Sequence, residues 1–400
     1  MDNVKPNSVI RQFVSLLPVH VLEPTVFDYY TKKLTVMKSI FIFVAAQLNR
    51  WSSYSEIEAQ IRAQTELQRL FHLESISGSQ LSRSLDRLPT ELLEWLFQQL
   101  ALRAKRRTAS LHGMSKIIGK LSIVDASTIS LPLTLGNWAQ VSRKASSVKM
   151  HLRLVAASPD TIFPDAMVPT TANVGDRACA VDLVIPSDTT YVMDRGYDDY
   201  KKMEAWSTED IRFVMRLRDR AFTTILEEST VEPEGRILRD AKVHMGSASR
   251  ADKQELRLIE FMDEKGRRYR LVTSIWDLSA EDIAQIYKCR WLIELFFKWI
   301  KQHLQVVHVH SYKPPQAIWN QLFLALITAL LVQEMNASLP RKITPWQLLK
   351  LMRVYLYLPW SALEDELLRV RRTSNGKPAG TRQKPKILRT SVGELRPSKK

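Results

Sequence analysis

The chain has 400 residues, 45% of them apolar, which is enough to core about two to four domains at roughly 100 to 200 residues each. Charged residues are an ordinary 25%, but 58 Lys and Arg stand against 42 Asp and Glu, and the net charge of +16 points to a polyanionic partner, nucleic acid first. Two cysteines exclude a disulfide framework or a Cys-rich zinc site and suit a reducing compartment, and the absence of GxGxxG and GxxxxGK[ST] removes support for phosphate-cradle nucleotide enzymes.

The first twenty residues lack the uninterrupted apolar core and small-residue cleavage site of a signal peptide, so export is not expected. Residues 1–107 carry helical patterning over 26–48, 54–70, 77–88 and 91–102. Ser77-Gly78-Ser79 offers an N-cap to a short helix with Leu81, Leu85 and Leu88 inward and Gln80, Arg83, Ser84 and Arg87 outward. That pattern suits a helix-turn-helix reading head, and equally any short amphipathic helix of a bundle. The basic run 103–107 reads as a linker.

From 118 the pattern turns to short β-branched strands at 120–131, 148–157, 161–168 and 189–194, with a helix at 176–183. Five more strands follow at 211–218, 221–228, 236–245, 255–263 and 268–276, then one long helix over 279–304 and a helical region to 368. Within the latter, the apolar run 322–332 is 11 residues long, where a bilayer span needs about 20, so it reads as a buried helix and no membrane is expected. Residues 369–400 hold eleven basic residues and a single acid, Glu394, which is +10 of the +16 net charge. Their Gly, Pro and Ser predict disorder, as a solubilising tail or as an arm that tracks phosphates.

Three acids carry the candidate chemistry. Asp125 lies inside an apolar strand, where a carboxylate is costly to bury unless it binds a cation or forms hydrogen bonds. Asp194 ends a second strand and leads into Arg195-Gly196-Tyr197. On the long helix, Tyr287, Arg290, Glu294, Lys298 and Lys301 follow at steps of 3, 4, 4 and 3 and share one face, with Ile286, Ile293, Phe297, Ile300 and Leu304 on an apolar stripe. Spacing alone also fits a solvated salt-bridge ladder.

Tyr287, Arg290, Glu294 and Lys301 meet the pattern Tyr-x2-Arg-x3-Glu-x6-Lys, which resembles the signature of DDE transposases of the insertion-sequence-four family. Asp125 in Ile-Val-Asp-Ala-Ser-Thr and Asp194 in Val-Met-Asp-Arg-Gly-Tyr resemble that family's first and second acids, and the likeness covers roughly 118 to 310. The resemblance implies an α/β fold with a ribonuclease-H-like mixed sheet. Asp125, Asp194 and Glu294 would then be catalytic and would bind two Mg²⁺ ions, with Mn²⁺ able to substitute. Tyr287, Arg290, Lys298 and Lys301 would hold DNA phosphates, and Arg83 and Arg87 would bind DNA on the helical domain. It implies cut-and-paste transposition on double-stranded DNA by a homodimer in a bacterial cytoplasm, associated with the nucleoid. The alternatives are a catalytically inactive, domesticated DNA-binding protein and a stand-alone metal-dependent nuclease.

The expected domains are an element-end-binding helical domain at 1–107, a core at 118–206 and 270–310, a β-rich insertion at 207–269, C-terminal helices at 311–368 and the basic tail at 369–400. The insertion is inferred from the 99 residues between Asp194 and Glu294, against roughly 40 needed to connect them. Some family members stack an insertion aromatic on a flipped base; Trp206 and Trp276 are the candidates, and burial is the better reading of both. Lys149 and His151 resemble a Lys-x-His pattern of the family, or sit on an exposed strand edge. His308 and His310 lack a third ligand, and Cys289 is expected to pack.

Overall fold

The computed structural model describes residues 8–18, 28, 33–133, 136–232, 235–246, 254–306, 315–339, 341 and 343–369. Among the described residues six helices come first: α1 (Val9–Ser15), α2 (Val36–Asn49), α3 (Tyr54–Ala63), α4 (Thr65–Phe71), α5 (Gly78–Arg87) and α6 (Thr90–Arg107). Strands β1 (Leu121–Leu131), β2 (Gln140–Ser142), β3 (Ala145–Ser158) and β4 (Thr161–Thr171) lead to α7 (Asp176–Leu183), β5 (Thr190–Met193), α8 (Tyr200–Thr208) and β6 (Phe213–Arg216). The strands β7 (Thr223–Glu228), β8 (Ile237–Met245), β9 (Leu256–Met262) and β10 (Arg268–Thr273) precede α9 (Ala280–Lys288), α10 (Trp291–His303), α11 (Pro315–Ser338), α12 (Pro345–Tyr355) and α13 (Trp360–Leu368).

All ten strands belong to one mixed sheet. β1 pairs antiparallel with β3, which pairs antiparallel with β4; on its other side β1 runs parallel to β5, and β5 parallel to β6. The order β4-β3-β1-β5-β6, antiparallel on one flank and parallel on the other, is the ribonuclease-H-like arrangement. The stretch expected as an insertion prolongs this same sheet: β10 pairs with β6, and β9, β8 and β7 follow antiparallel.

Local sequence explains several helix starts. Ser77 and Gln80 form a reciprocal capping box on α5, and Thr344 and Gln347 form another on α12. The single helix expected over 54–70 breaks at Gln64, whose backbone is extended. The break has a packing reason. Ile57 and Ile61 are buried on α3 and Leu67 and Phe71 on α4. The ten-residue step between the pairs would put them about 80° apart on one continuous helix. The helix expected over 26–48 begins at Val36 behind the Thr35 cap, and residues 26–27 and 29–32 lie outside the described residues.

The run 103–107 is not a linker but the end of α6. Ala101 and Ala104 continue its buried stripe, and the cations sit where the helix dipole favours them. Arg103 Nη1 donates to the Leu16 carbonyl at 2.7 Å, and Lys105 Nζ lies 2.6 Å from Asp165 on β4.

α11 is long and apolar enough to cross a membrane, yet 83% of its apolar window is buried inside the protein, so it is a core helix. It packs against α2, α5, α6 and α12 and thereby gives helices from both ends of the chain one shared core. Asn320 on α11 is fully buried: its Nδ2 donates to the carbonyls of Leu85 at 2.9 Å and Leu88 at 2.8 Å, and its Oδ1 accepts from Thr90 Oγ1 at 2.7 Å. Asn320→Ala strands these three partners in a dry site, so the free energy of unfolding falls by about 2 to 4 kcal/mol. Urea denaturation with an unchanged midpoint would show that α5 does not depend on this clamp.

Candidate active site at the carboxyl edge of the sheet

In the parallel pair β1 and β5, Val124 stands beside Met193, so the residues that follow them, Asp125 and Asp194, come out side by side where β5 ends. Ligand crevices of sheets with parallel strands open at this carboxyl edge. Glu294 arrives from α10, which buries Leu292, Ile293, Phe296, Phe297 and Ile300 against the protein.

The long helix expected over 279–304 is two helices with a tight turn between them. Through Cys289 and Arg290 the hydrogen bonds shift to three-residue spacing: Arg290 N to Tyr287 O at 3.0 Å, Leu292 N to Cys289 O at 3.0 Å and Ile293 N to Arg290 O at 3.2 Å. Three residues per turn winds the chain about 20° further per residue than an α-helix. The five expected residues therefore do not lie on one straight face. Tyr287 Oη donates to Asp194 Oδ1 at 3.2 Å, while Arg290 donates through Nη1 to Asp125 Oδ2 at 3.2 Å and through Nη2 to Glu294 Oε1 at 2.6 Å. Lys301 Nζ reaches the Thr128 carbonyl of β1 at 2.9 Å, and Lys298 is exposed.

Burial pushes the Asp125 carboxyl up to about 6; the Ala126 N–H bond and the Arg290 guanidinium pull it down, and the charges of Asp194 and Glu294 raise it. Burial, then the Asp194 charge, holds the Tyr287 hydroxyl protonated, so it serves as a donor. Among the described residues no three Asp, Glu, His or Cys side chains stand close enough to enclose one metal ion. The reason lies in the same contacts, since a guanidinium stands between Asp125 and Glu294 and a phenol caps Asp194.

Behind the acids, Lys149 and His151 of the Lys-x-His pattern gather on a carboxylate that the motifs did not mark, Asp176. Asp176, at the start of α7, accepts from Lys149 Nζ at 2.9 Å. Its Oδ1 is 3.7 Å from His151 Nδ1, and His151 Nε2 meets Thr170 Oγ1 at 3.0 Å. His151 is fully buried on a central strand, so the exposed-edge reading fails; burial lowers it to about 4 and keeps it neutral at pH 7. A Cβ on Gly196 would lie 2.8 Å from Asp176 Oδ2, so a larger residue here would press this carboxylate away from its place under the turn after Asp194. A glycine two residues past a strand-end acid was the available signal.

Arg83 and Arg87 are exposed on α5, in the helical unit, away from the sheet strands that carry the acids. Their expected companions are engaged otherwise: Ser84 Oγ is 2.5 Å from Ser39 Oγ, and Gln80 closes the capping box. Trp206 is buried edge-on to Phe213. Trp276, expected buried, is 49% exposed, with Lys242 Nζ 5.9 Å from its ring centroid; it lies past the end of β10, where no layer covers it. Cys289 packs, its thiol pushed up to about 12 by burial. His308, His310 and residues 370–400 lie outside the described residues.

The sheet order sets the class of fold, a ribonuclease-H-like sheet with three acids brought to its carboxyl edge. Residues 119–331 match the family model described as Transposase DDE domain, and the chain, more than half of which is matched, belongs to that family of enzymes that cleave and transfer DNA strands. The family works with divalent metal ions. The chain is 25% identical over 307 residues to a probable transposase for insertion sequence element IS5377 from Geobacillus stearothermophilus, covering 76% of this chain and 77% of the relative. It is 31% identical over 220 residues to the putative transposase y4zB of Sinorhizobium fredii, covering 53% and 60%. A solved piggyBac transposase synaptic complex with hairpin DNA aligns over 98% of this chain and 82% of its own, at 10% identity and a TM-score of 0.42.

Proposed function

We propose that this transposase moves its insertion sequence by cut and paste, with Asp125, Asp194 and Glu294 as catalytic acids, in the manner of the insertion-sequence-four family. The observation that carries the reading is the position of Arg290: a cation bridges two of the three acids while Tyr287 holds the third. The donors are hard carboxylate oxygens, which suit Mg²⁺, with Mn²⁺ as a substitute. Asp125, Asp194 and Glu294 would hold two such ions, which would supply Lewis-acid polarisation of the scissile phosphate and activation of the attacking water or 3′-hydroxyl.

The chain's own groups do the rest. Tyr287 and Arg290 turn from carboxylates to the phosphates beside the scissile bond, and Lys298 and Lys301 hold the strand along α10. Arg83 and Arg87 contact the element end from α5, so end recognition belongs to 1–107 backed by α11. The C-terminal helices and the basic tail keep the boundaries expected above, whereas the core takes in β6 and the sheet extension runs from β7 through β10. Residues 369–400 add phosphate contacts without base reading. Two copies pair the two ends as a homodimer, in the cytoplasm at the nucleoid. An inactive DNA binder or a stand-alone nuclease would need neither the paired ends nor a released 3′-hydroxyl.

The test is excision. Purified protein with Mg²⁺ and a supercoiled plasmid carrying the element between both ends should release the element and join it to a second plasmid. Cleavage without joining, or no cleavage in Mg²⁺ or Mn²⁺, would overturn the reading.

A further inference from the structure

Across the carboxyl edge of the sheet, the cations assigned above lie on the β1 side, where Lys301 meets Thr128. The opposite side is formed by β6, two strands away from β1 and hence about 10 Å across. There the turn after β6 presents Arg218 and Arg220, and the turn after β5 presents Arg195, the residue that follows Asp194. These arginines, with Gly196 and Asp219, line an open cleft of about 520 Å³.

The cleft is held in shape from below. Arg270 donates to the carbonyls of Asp219 and Ala221, both at 3.1 Å, and to Thr223 Oγ1 at 3.2 Å, while its Nε donates to the buried Glu260 at 3.0 Å. Arg218 Nε lies 3.5 Å from the Arg195 carbonyl and 3.9 Å from the buried Asp198. Arg216, at the end of β6, stacks on Tyr269 at 4.7 Å, and Tyr269 packs on Tyr287, the partner of Asp194. Elsewhere on this half of the sheet the arginines find carboxylates, as Arg257 does with Asp240 and Arg267 with Asp263. Arg195 and Arg220 have no carboxylate partner among the described residues, and both are exposed at the cleft.

The geometry points to a second phosphodiester site: Arg195 and Arg220, with Arg218, grip the DNA strand that continues beyond the scissile phosphate, on the side away from α10. The assignment rests on the active site proposed above. A guanidinium left free of carboxylates, on a turn pinned by buried bonds, suits phosphate oxygens. A strand threaded past Asp125 and Asp194 must leave the edge over β6, and the cleft lies at that exit. The strand there is either the DNA flanking the element before cleavage or the target DNA at strand transfer.

Affinity for two duplexes tests the site: one carrying an element terminus with its flanking DNA, and one ending at the terminus. In the Arg195→Ala, Arg220→Ala double variant, with an unchanged melting temperature, the wild-type preference for the flanked duplex should fall about tenfold and the salt slope on it by about 2. Binding of the pre-cut duplex should stay as in wild type, and Arg→Lys at both positions should restore most of the preference. A loss confined to strand transfer of pre-cut ends into plasmid assigns the cleft to target DNA instead of flank. Unchanged preference together with unchanged strand transfer overturns the site, as does an equal loss on both duplexes. Failure of the wild-type protein to cleave at all would count against the active site itself.

Discussion

Asp125→Asn, Asp194→Asn and Glu294→Gln each reduce strand cleavage at least about a thousandfold, some 4 kcal/mol of transition-state stabilisation, because each removes a charged oxygen ligand while keeping its shape. DNA binding survives, since every one of these changes makes a chain of net charge +16 more positive. Gel-shift and cleavage assays on the same preparations separate the two effects, and a variant that cleaves at the wild-type rate takes its residue out of the site. Asp125 adds a signature in stability. Its folded carboxyl is held up to about 6, above its unfolded value, so its contribution is fully present below about pH 4 and is lost as pH rises through 6. Asp125→Asn removes that slope from melting temperatures measured between pH 4 and 7.

Arg290→Ala has the second large effect, and it depends on divalent ions. Without them the substitution leaves Asp125 and Glu294 facing each other without their shared cation, in a pocket where the Arg290 side chain is only 16% exposed. Partial solvent screening of Glu294 keeps the cost to about 2 kcal/mol. Millimolar Mg²⁺ supplies the missing positive charge, so the melting temperature of Arg290→Ala rises more on adding Mg²⁺ than that of wild type. Equal rises in the two proteins would show that the guanidinium and the ion do not compete. Strand cleavage by the variant falls as well, because a phosphate ligand is gone.

Much of this architecture is legible in the residues. Strands such as β8 and β9 announce themselves by alternation and flanking turns, and α7 sits where the pattern over 176–183 places it. What alternation cannot give is the pairing partner, so the residues do not tell that β10 sits directly beside β6 and carries β9, β8 and β7 on in the same sheet. The turn at Cys289 and Arg290 has neither Gly nor Pro to mark it; it exists as a change of hydrogen-bond spacing that only the packed acids and the apolar stripe can select. α8 escaped notice because just Met203 and Trp206 of its nine residues are buried. Burial of His151 depends on β4 lying across it, a contact between strands that sequence spacing does not encode.

The shared core helix also sets an order of events during synthesis. Helices α1 to α6 leave the ribosome first and pack in part on one another, but the faces of α2, α5 and α6 that meet α11 wait for that helix, whose last residue is Ser338. Translation from 107 to 338 takes roughly 10 to 50 s at about 5 to 20 residues per second. For that interval the first quarter of the chain carries apolar surface that α11 has yet to cover. The helical unit gains its finished packing only when the whole ten-stranded sheet has already been made.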